Sequence, residues 1–220
     1  MLNADGRANW LQSGSPRRDV QNDNEAARIP LKAIGDFALA TLGFALFLPA
    51  STLIALAIKL DSRGPVFARQ KCQGCQGRTF EILRFRTVRV SEDRELNGQD
   101  FRGNRALTRM GWFLCRTGLV ELPRLINVLR GELSIVGPSP HSLAHSGYSR
   151  KSMAHYADRN RVKPGLTGWA QVHGLGGEPR KPEIAALQLR YDLDYIDRCS
   201  IRLDFRIIAA ALFGPRPEAR

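Results

Sequence analysis

From Phe37 to Ile58 no residue carries a charge, and Asp36 and Lys59 bound the run. At 1.5 Å rise per residue this stretch extends about 33 Å as a helix, enough to cross the hydrocarbon of a bilayer. Charges are missing all round and not only on one face, which separates it from an amphipathic helix half-buried in a soluble core. Pro49 near its middle removes one helical hydrogen bond and crowds the preceding turn, so a kink is expected there. A bent transmembrane helix and a re-entrant helix that returns the chain to its starting side both satisfy this pattern.

After Asp61 the pattern changes to short pieces punctuated by glycine. Gly64-Pro65 and Gly74-Cys75-Gln76-Gly77 read as turns flanking strands. In Phe80–Thr87, Arg84 and Arg86 stand two apart, which on a strand places both guanidiniums on one face. Residues 91–105 are charged and Gly-rich, as in a surface loop. Leu119, Leu122, Leu125, Ile126 and Leu129 predict an amphipathic helix over about Val120–Leu129, ended by Gly131. Pro123 fits only its first turn, which sets Glu121 at the helix N-terminus. There free N–H groups and the positive end of the dipole can face a phosphate, or an acidic residue can simply stabilise a core helix. Near the end, Ile201, Phe205, Ile208 and Leu212 mark one helical face beside an Arg198, Arg202, Arg206 stripe. Such a helix can lie on an anionic leaflet or pack on a core with its charges in water. The expected division is a polar, disordered leader over 1–27 without the features of a secretion signal, a helical membrane segment over 28–61 and one domain over 62–214. A short tail over 215–220 completes it.

Charge narrows the partners. Thirty-three Lys and Arg against 21 Asp and Glu give +12 in 220 residues, which favours phospholipid headgroups, nucleotide phosphates or nucleic acid. No nucleic-acid motif accompanies the charge, and the apolar run argues against that class. Of the four cysteines, Cys72 and Cys75 alone have metal-like spacing, and no second Cys-x-x-Cys or His pair completes a site. His141 and His145 lie i, i+4 behind Pro140 with no third ligand evident. The cysteine usage fits a reducing cytoplasm.

Arg116-Thr117-Gly118-Leu119-Val120-Glu121-Leu122-Pro123 through Gly137-Pro138-Ser139-Pro140-His141 resembles the signature of the bacterial sugar transferases, the monotopic polyprenyl-phosphate phosphoglycosyl transferases. Lys59–Phe67, Arg69-Gln70, Arg84-Phe85-Arg86-Thr87, Arg161–Val172 and Tyr191–Ile196 are similar to further pieces of that family, so the resemblance runs from about Lys32 to Phe213. It is nearest to the subgroup that starts exopolysaccharide or capsule repeat units by moving hexose 1-phosphate from a UDP-sugar to polyprenyl phosphate. The resemblance implies a helix-rich α+β protein, with a re-entrant membrane helix bent at Pro49 and a compact domain on the cytoplasmic face of the bacterial inner membrane. It implies UDP-hexose, polyprenyl phosphate and inner-membrane lipid as partners and Mg²⁺ as cofactor. A homo-oligomer or a related transferase is left open as a protein partner. Glu121 matches the catalytic and metal-binding acid, while Arg84, Arg86, Arg116, Lys163 and Gln171 are the candidates for holding substrate.

Besides Leu48, which stands where the family usually has a serine before the proline, three positions depart from the family pattern. Val120 stands where the nucleophilic aspartate belongs, Ser139 replaces the arginine of Gly-Pro-Arg-Pro, and Asn104 falls where the family has an acid. A valine has no lone pair and forms no acyl phosphate. Two readings follow, a transferase working through Glu121 or through direct attack by the lipid phosphate, and a catalytically silent relative that binds or regulates within the same pathway.

Overall fold

The computed structural model describes residues 22–89, 107–143, 146, 153, 155–179 and 181–214, with side chains from residue 31 onward. The 91–105 loop, Asn104, His145 and both chain ends lie outside them. Residues 1–32 and 33–220 form two units, and the description of the first is confined to the opening of helix α1 (Asn22–Asp61), ahead of the expected boundary at residue 28.

The second unit is α+β and helix-rich. Strands β1 (Phe67–Gln73) and β2 (Thr79–Phe85) pair antiparallel, with Phe67 opposite Phe85 and Gln73 opposite Thr79. The Gly74–Gly77 turn closes this hairpin, and Gly77 supplies a φ of 75° that a side chain would resist. Helix α2 (Arg109–Thr117) is capped by Thr108, whose hydroxyl accepts from Gly111 N, and ends at Gly118 in the left-handed region. A 3₁₀ turn (Leu119–Glu121) leads into α3 (Arg124–Leu129), with Pro123 as its N-cap. The helix expected from Val120 therefore divides: Glu121 closes a separate tight turn, because proline supplies no N–H to continue the ladder backwards.

Strands β3 (Ser134–Val136) and β4 (Gly165–Thr167) pair in parallel. Their ends cross so closely that a Cβ on Gly165 would collide with Gly137 N and Thr167 O, and one on Gly168 with Gly137 O. The conspicuous Gly137-Pro138 and Gly165-Leu166-Thr167-Gly168 pieces thus act first as a backbone crossing. Gly165→Ala is expected to cost about 3 kcal/mol or more, since backbone cannot retreat as a flexible side chain can, and thermal unfolding of the purified protein measures it.

Three helices follow, α4 (Trp169–Val172), α5 (Pro182–Arg198) and α6 (Ile201–Phe213). Ser200 separates the last two and caps α6 by accepting from Leu203 N. Arg198 accordingly ends α5, paired with Asp194 at 2.9 Å, and the expected arginine stripe is broken after it. On α6 it is Ile207 that enters the core, while Ile201, Phe205, Leu212 and Phe213 stay exposed.

Within the second unit α1 lies along the domain. Asp36 accepts from Ser134 Oγ at 2.6 Å and from Ile135 N at 3.2 Å. Ala40 packs with Leu125, Val128 and Leu133, and a Cβ on Gly43 would touch Leu125 at 3.5 Å. Further along, Ile54 and Ile58 pack with Phe85 and Leu114. The outward residues Phe37, Leu42, Leu46, Leu53 and Leu56 remain exposed. The helix continues through Pro49, which leaves the Ala45 carbonyl without its usual donor. Leu31–Asp61 is long and apolar enough to cross a membrane.

Candidate active site

Glu121 stands where the 3₁₀ turn meets α3, and two arginines face its carboxylate. Arg84 Nε, on β2, lies 3.6 Å from Oε1. Arg124 Nε, in the first turn of α3, contacts Oε2. Glu121 is 39% exposed and Arg84 23%, whereas Arg124 is 5% exposed and fixed in the protein body. The sequence reading missed Arg124. Its signal was the i, i+3 spacing from Glu121 across Pro123, which sets the two side chains on adjacent turns.

The other candidates disperse. Arg86 lies one residue past β2, and the pleat no longer governs its direction. It is 1% exposed, and its guanidinium donates to Arg63 O and Ser62 O, each at 2.7 Å, and to Ser62 Oγ at 2.9 Å. It and Arg84 therefore do not share one open face: Arg86 clamps the end of α1 while Arg84 turns to Glu121. Burial lowers the Arg86 pKa, opposed by the charge of Asp61. Arg116 is exposed with its guanidinium 5.2 Å from the Trp112 ring centroid. Lys163 reaches the far end of α3, where its Nζ would lie 3.6 Å from a Cβ on Gly131. Gln171, on α4, folds against Gly168 and Gly176.

Val120 is partly buried against Ile54, Ile58, Phe85 and Leu114. Cys115 feels the charges of both Glu121 and Arg84. Burial first, and then the Glu121 charge, push its thiol pKa up, so it stays protonated at neutral pH and is a poor nucleophile. Burial also pushes the Cys72 thiol up to about 12, opposite to what a thiolate ligand needs. Cys75 Sγ sits 3.8 Å from Arg161 O.

Ser139 is buried in a small polar pocket with Gln73, His141, Tyr156 and Arg159. Arg159 donates to the Ser139 carbonyl at 2.8 Å and pairs with Asp192 at 2.7 Å. His141 Nδ1 lies 2.7 Å from Tyr156 Oη and 2.8 Å from Arg159. Its place in this network accounts for His141 as part of the packed interior.

A second cavity opens at the residues that follow Glu121. Between α1 and the start of α3, Phe44, Phe47, Ser51, Phe85, Leu122 and Pro123 help line an apolar cleft of about 240 Å³. Thr52, also on its wall, spends its hydroxyl on Leu48 O at 3.0 Å.

Mg²⁺ asks for hard oxygens, commonly one or two carboxylates together with substrate phosphates. Glu121 offers one carboxylate, and guanidiniums face both of its oxygens. No group of three His, Cys, Asp or Glu side chains gathers elsewhere among the described residues. Drawing Glu121 away would also strand the buried Arg124, a change that costs about 3–5 kcal/mol for a fully buried pair and less for a half-exposed acid. The residues present do not fit the ion.

The site is thus an acid held by two arginines, in a chain whose Leu31–Asp61 helix is long and apolar enough to cross a membrane. The profile of the bacterial sugar transferase family matches residues 27–218, and the chain belongs to that family. It is 43% identical over 187 residues to the UDP-glucose:undecaprenyl-phosphate glucose-1-phosphate transferase of Xanthomonas campestris pv. campestris, covering 84% of this chain and 39% of that protein. A protein of the same name from Caulobacter vibrioides is 43% identical over 177 residues, covering 80% of this chain and 66% of that one. The exopolysaccharide production protein PSS of Rhizobium leguminosarum bv. phaseoli is 37% identical over 164 residues, covering 73% and 82%. The chain thus spans about two fifths of the Xanthomonas relative's length and two thirds of the Caulobacter one's.

Proposed function

We propose that this protein works at the cytoplasmic face of the bacterial inner membrane, transferring hexose 1-phosphate from a UDP-sugar to polyprenyl phosphate at the start of exopolysaccharide or capsule synthesis. The observation that carries this reading is the Glu121–Arg84–Arg124 cluster, whose chain neighbours Phe85, Leu122, Pro123 and Leu125 line the apolar cleft. A diphosphate meets guanidinium there, and the isoprenoid chain of the acceptor lies between α1 and Leu122-Pro123.

Without a nucleophile at Val120, transfer takes one step. An oxygen of the lipid phosphate forms a bond to the β-phosphorus of the UDP-sugar as the bond to the bridging oxygen breaks. UMP leaves with that electron pair, and the lipid carries a diphospho-hexose. Arg84 offsets charge on the phosphoryl oxygens, and Glu121 holds the arginines in place. Release of UMP from UDP-hexoses by membranes containing the protein, with no sugar phosphate attached to the chain, is the expected result. Absence of UMP release while UDP-hexose still binds would favour the second reading, a binding or regulatory protein of the same pathway. The packing of Val120 into the apolar cluster is the observation behind that reading.

The same proposal makes the membrane helix re-entrant. Asp36 and Ile58 are anchored to one domain at both ends of the charge-free run, Ala40 and Ile54 pack on that domain between them, and Phe37, Leu42, Leu46, Leu53 and Leu56 face outward. A helix dipping into one leaflet, with Pro49 as its bend, keeps these anchors and covers that face with lipid. Single cysteines at positions 5 and 215 are expected to label from the same side of sealed vesicles. Labelling from opposite sides would make the helix a true span.

A further inference from the structure

We propose that the acidic centre of this chain is neutralised from within by Arg84 and Arg124 and takes no divalent cation, so that phosphate ligands meet a fixed guanidinium pair where a metal would otherwise stand. The ligand half of this statement rests on the reading above, and the metal half does not. Each Glu121 oxygen faces a different guanidinium, Arg84 Nε at 3.6 Å and Arg124 Nε in direct contact. A carboxylate with a divalent ion carries one net positive charge, and Glu121 with two arginines carries the same. The electrostatic demand of an anionic ligand is met either way.

Arg124 decides between the two arrangements because it cannot withdraw. Its side chain is 5% exposed on a helix whose Leu125 and Val128 are in the core, so a cation approaching Glu121 meets a fixed positive charge at short range. Arg84 approaches from β2 and faces the other carboxylate oxygen. No cluster of three candidate ligands among the described residues offers the ion an alternative.

The test uses Mn²⁺ as a paramagnetic probe on the purified full-length protein in detergent, with free ion read by electron paramagnetic resonance. Wild type is expected to show no saturable binding that Glu121→Gln removes. Arg124→Gln, and independently Arg84→Gln should the buried substitution prevent folding, is expected to bind Mn²⁺ at least tenfold more tightly, with that gain lost on adding Glu121→Gln. A wild-type site of one Mn²⁺ per chain that Glu121→Gln abolishes would overturn the proposal, as would folded arginine variants without the gain. UDP binding by calorimetry is expected to change less than twofold on adding EDTA, and binding that appears only with Mg²⁺ would also overturn it. A chain that binds neither Mn²⁺ nor UDP would uphold the metal-free centre and sink the nucleotide-sugar reading, so the two fail separately.

Discussion

Replacing Arg86 with alanine is expected to lower the stability of the purified protein by about 3 kcal/mol, since two partly buried carbonyls lose a charged donor and each such loss costs roughly 1–3 kcal/mol. Arg86 is 1% exposed and gathers carbonyls at the end of α1 in one fork, Ser62 O and Arg63 O at 2.7 Å and Ile58 O at 3.5 Å. Ile58 O also accepts from Ser62 N at 3.2 Å, whereas Ser62 O and Arg63 O, just past the helix, take the two short bonds from the cation, which complements the helix dipole as well. Alanine would leave those two carbonyls unpaired beside Phe85 and Ile58. The midpoint of thermal unfolding in detergent should fall by roughly 10 °C for a domain of this size. Lysine, with one ammonium in place of a planar fork, should recover only part of the loss. A midpoint within about 2 °C of wild type for Arg86→Ala would show that the end of α1 is held by packing alone.

Val120→Asp is expected to turn a chain that forms no phosphosugar adduct into one that does. The substitution places a carboxylate next to Glu121, and an oxygen of that carboxylate can attack the β-phosphorus of UDP-hexose, releasing UMP and leaving an acyl phosphate on the chain. Val120 now packs against Ile54, Ile58, Phe85 and Leu114, so the gain carries a stability loss of about 1–3 kcal/mol from setting a charge against apolar surface. Mass spectrometry of the intact protein with UDP-glucose or UDP-galactose reads the adduct, and nucleotide analysis reads UMP. Adding Ser139→Arg should not help. Position 139 is buried, and Arg159 already donates to its carbonyl, so a second guanidinium would meet like charge. A folded Val120→Asp protein with neither adduct nor UMP release, assayed beside an intact relative that turns over, would leave the binding role as the function.

Local chemistry was legible wherever one residue type decides the backbone. The charge-free run after Asp36 appeared as a helix, the Gly74–Gly77 turn closed a hairpin at its expected place, and Phe80–Phe85 lay in a strand. The family could be read from pieces around Gly137 and Gly165, whose backbones approach too closely to admit a side chain. Helix boundaries were less legible. Pro123 broke the Val120–Leu129 segment, and Ser200 divided the arginine stripe, since a cap competes with continuation and periodicity does not register it.

The role of each arginine was decided only by the fold. In a sequence with +12 net charge every guanidinium is an equal candidate for phosphate. Tertiary packing sent Arg86 to the end of α1, laid Arg116 against Trp112 and left Arg84 at Glu121. It also added Arg124, whose partner depends on where the turn before α3 points. The sequence by itself determined the family, the membrane-competent helix and the valine, without a lone pair, at position 120, because composition and single atoms settle those. Which charges meet is a matter of distance, and Coulomb energy falls with separations that exist only after β2, α1 and α3 have packed.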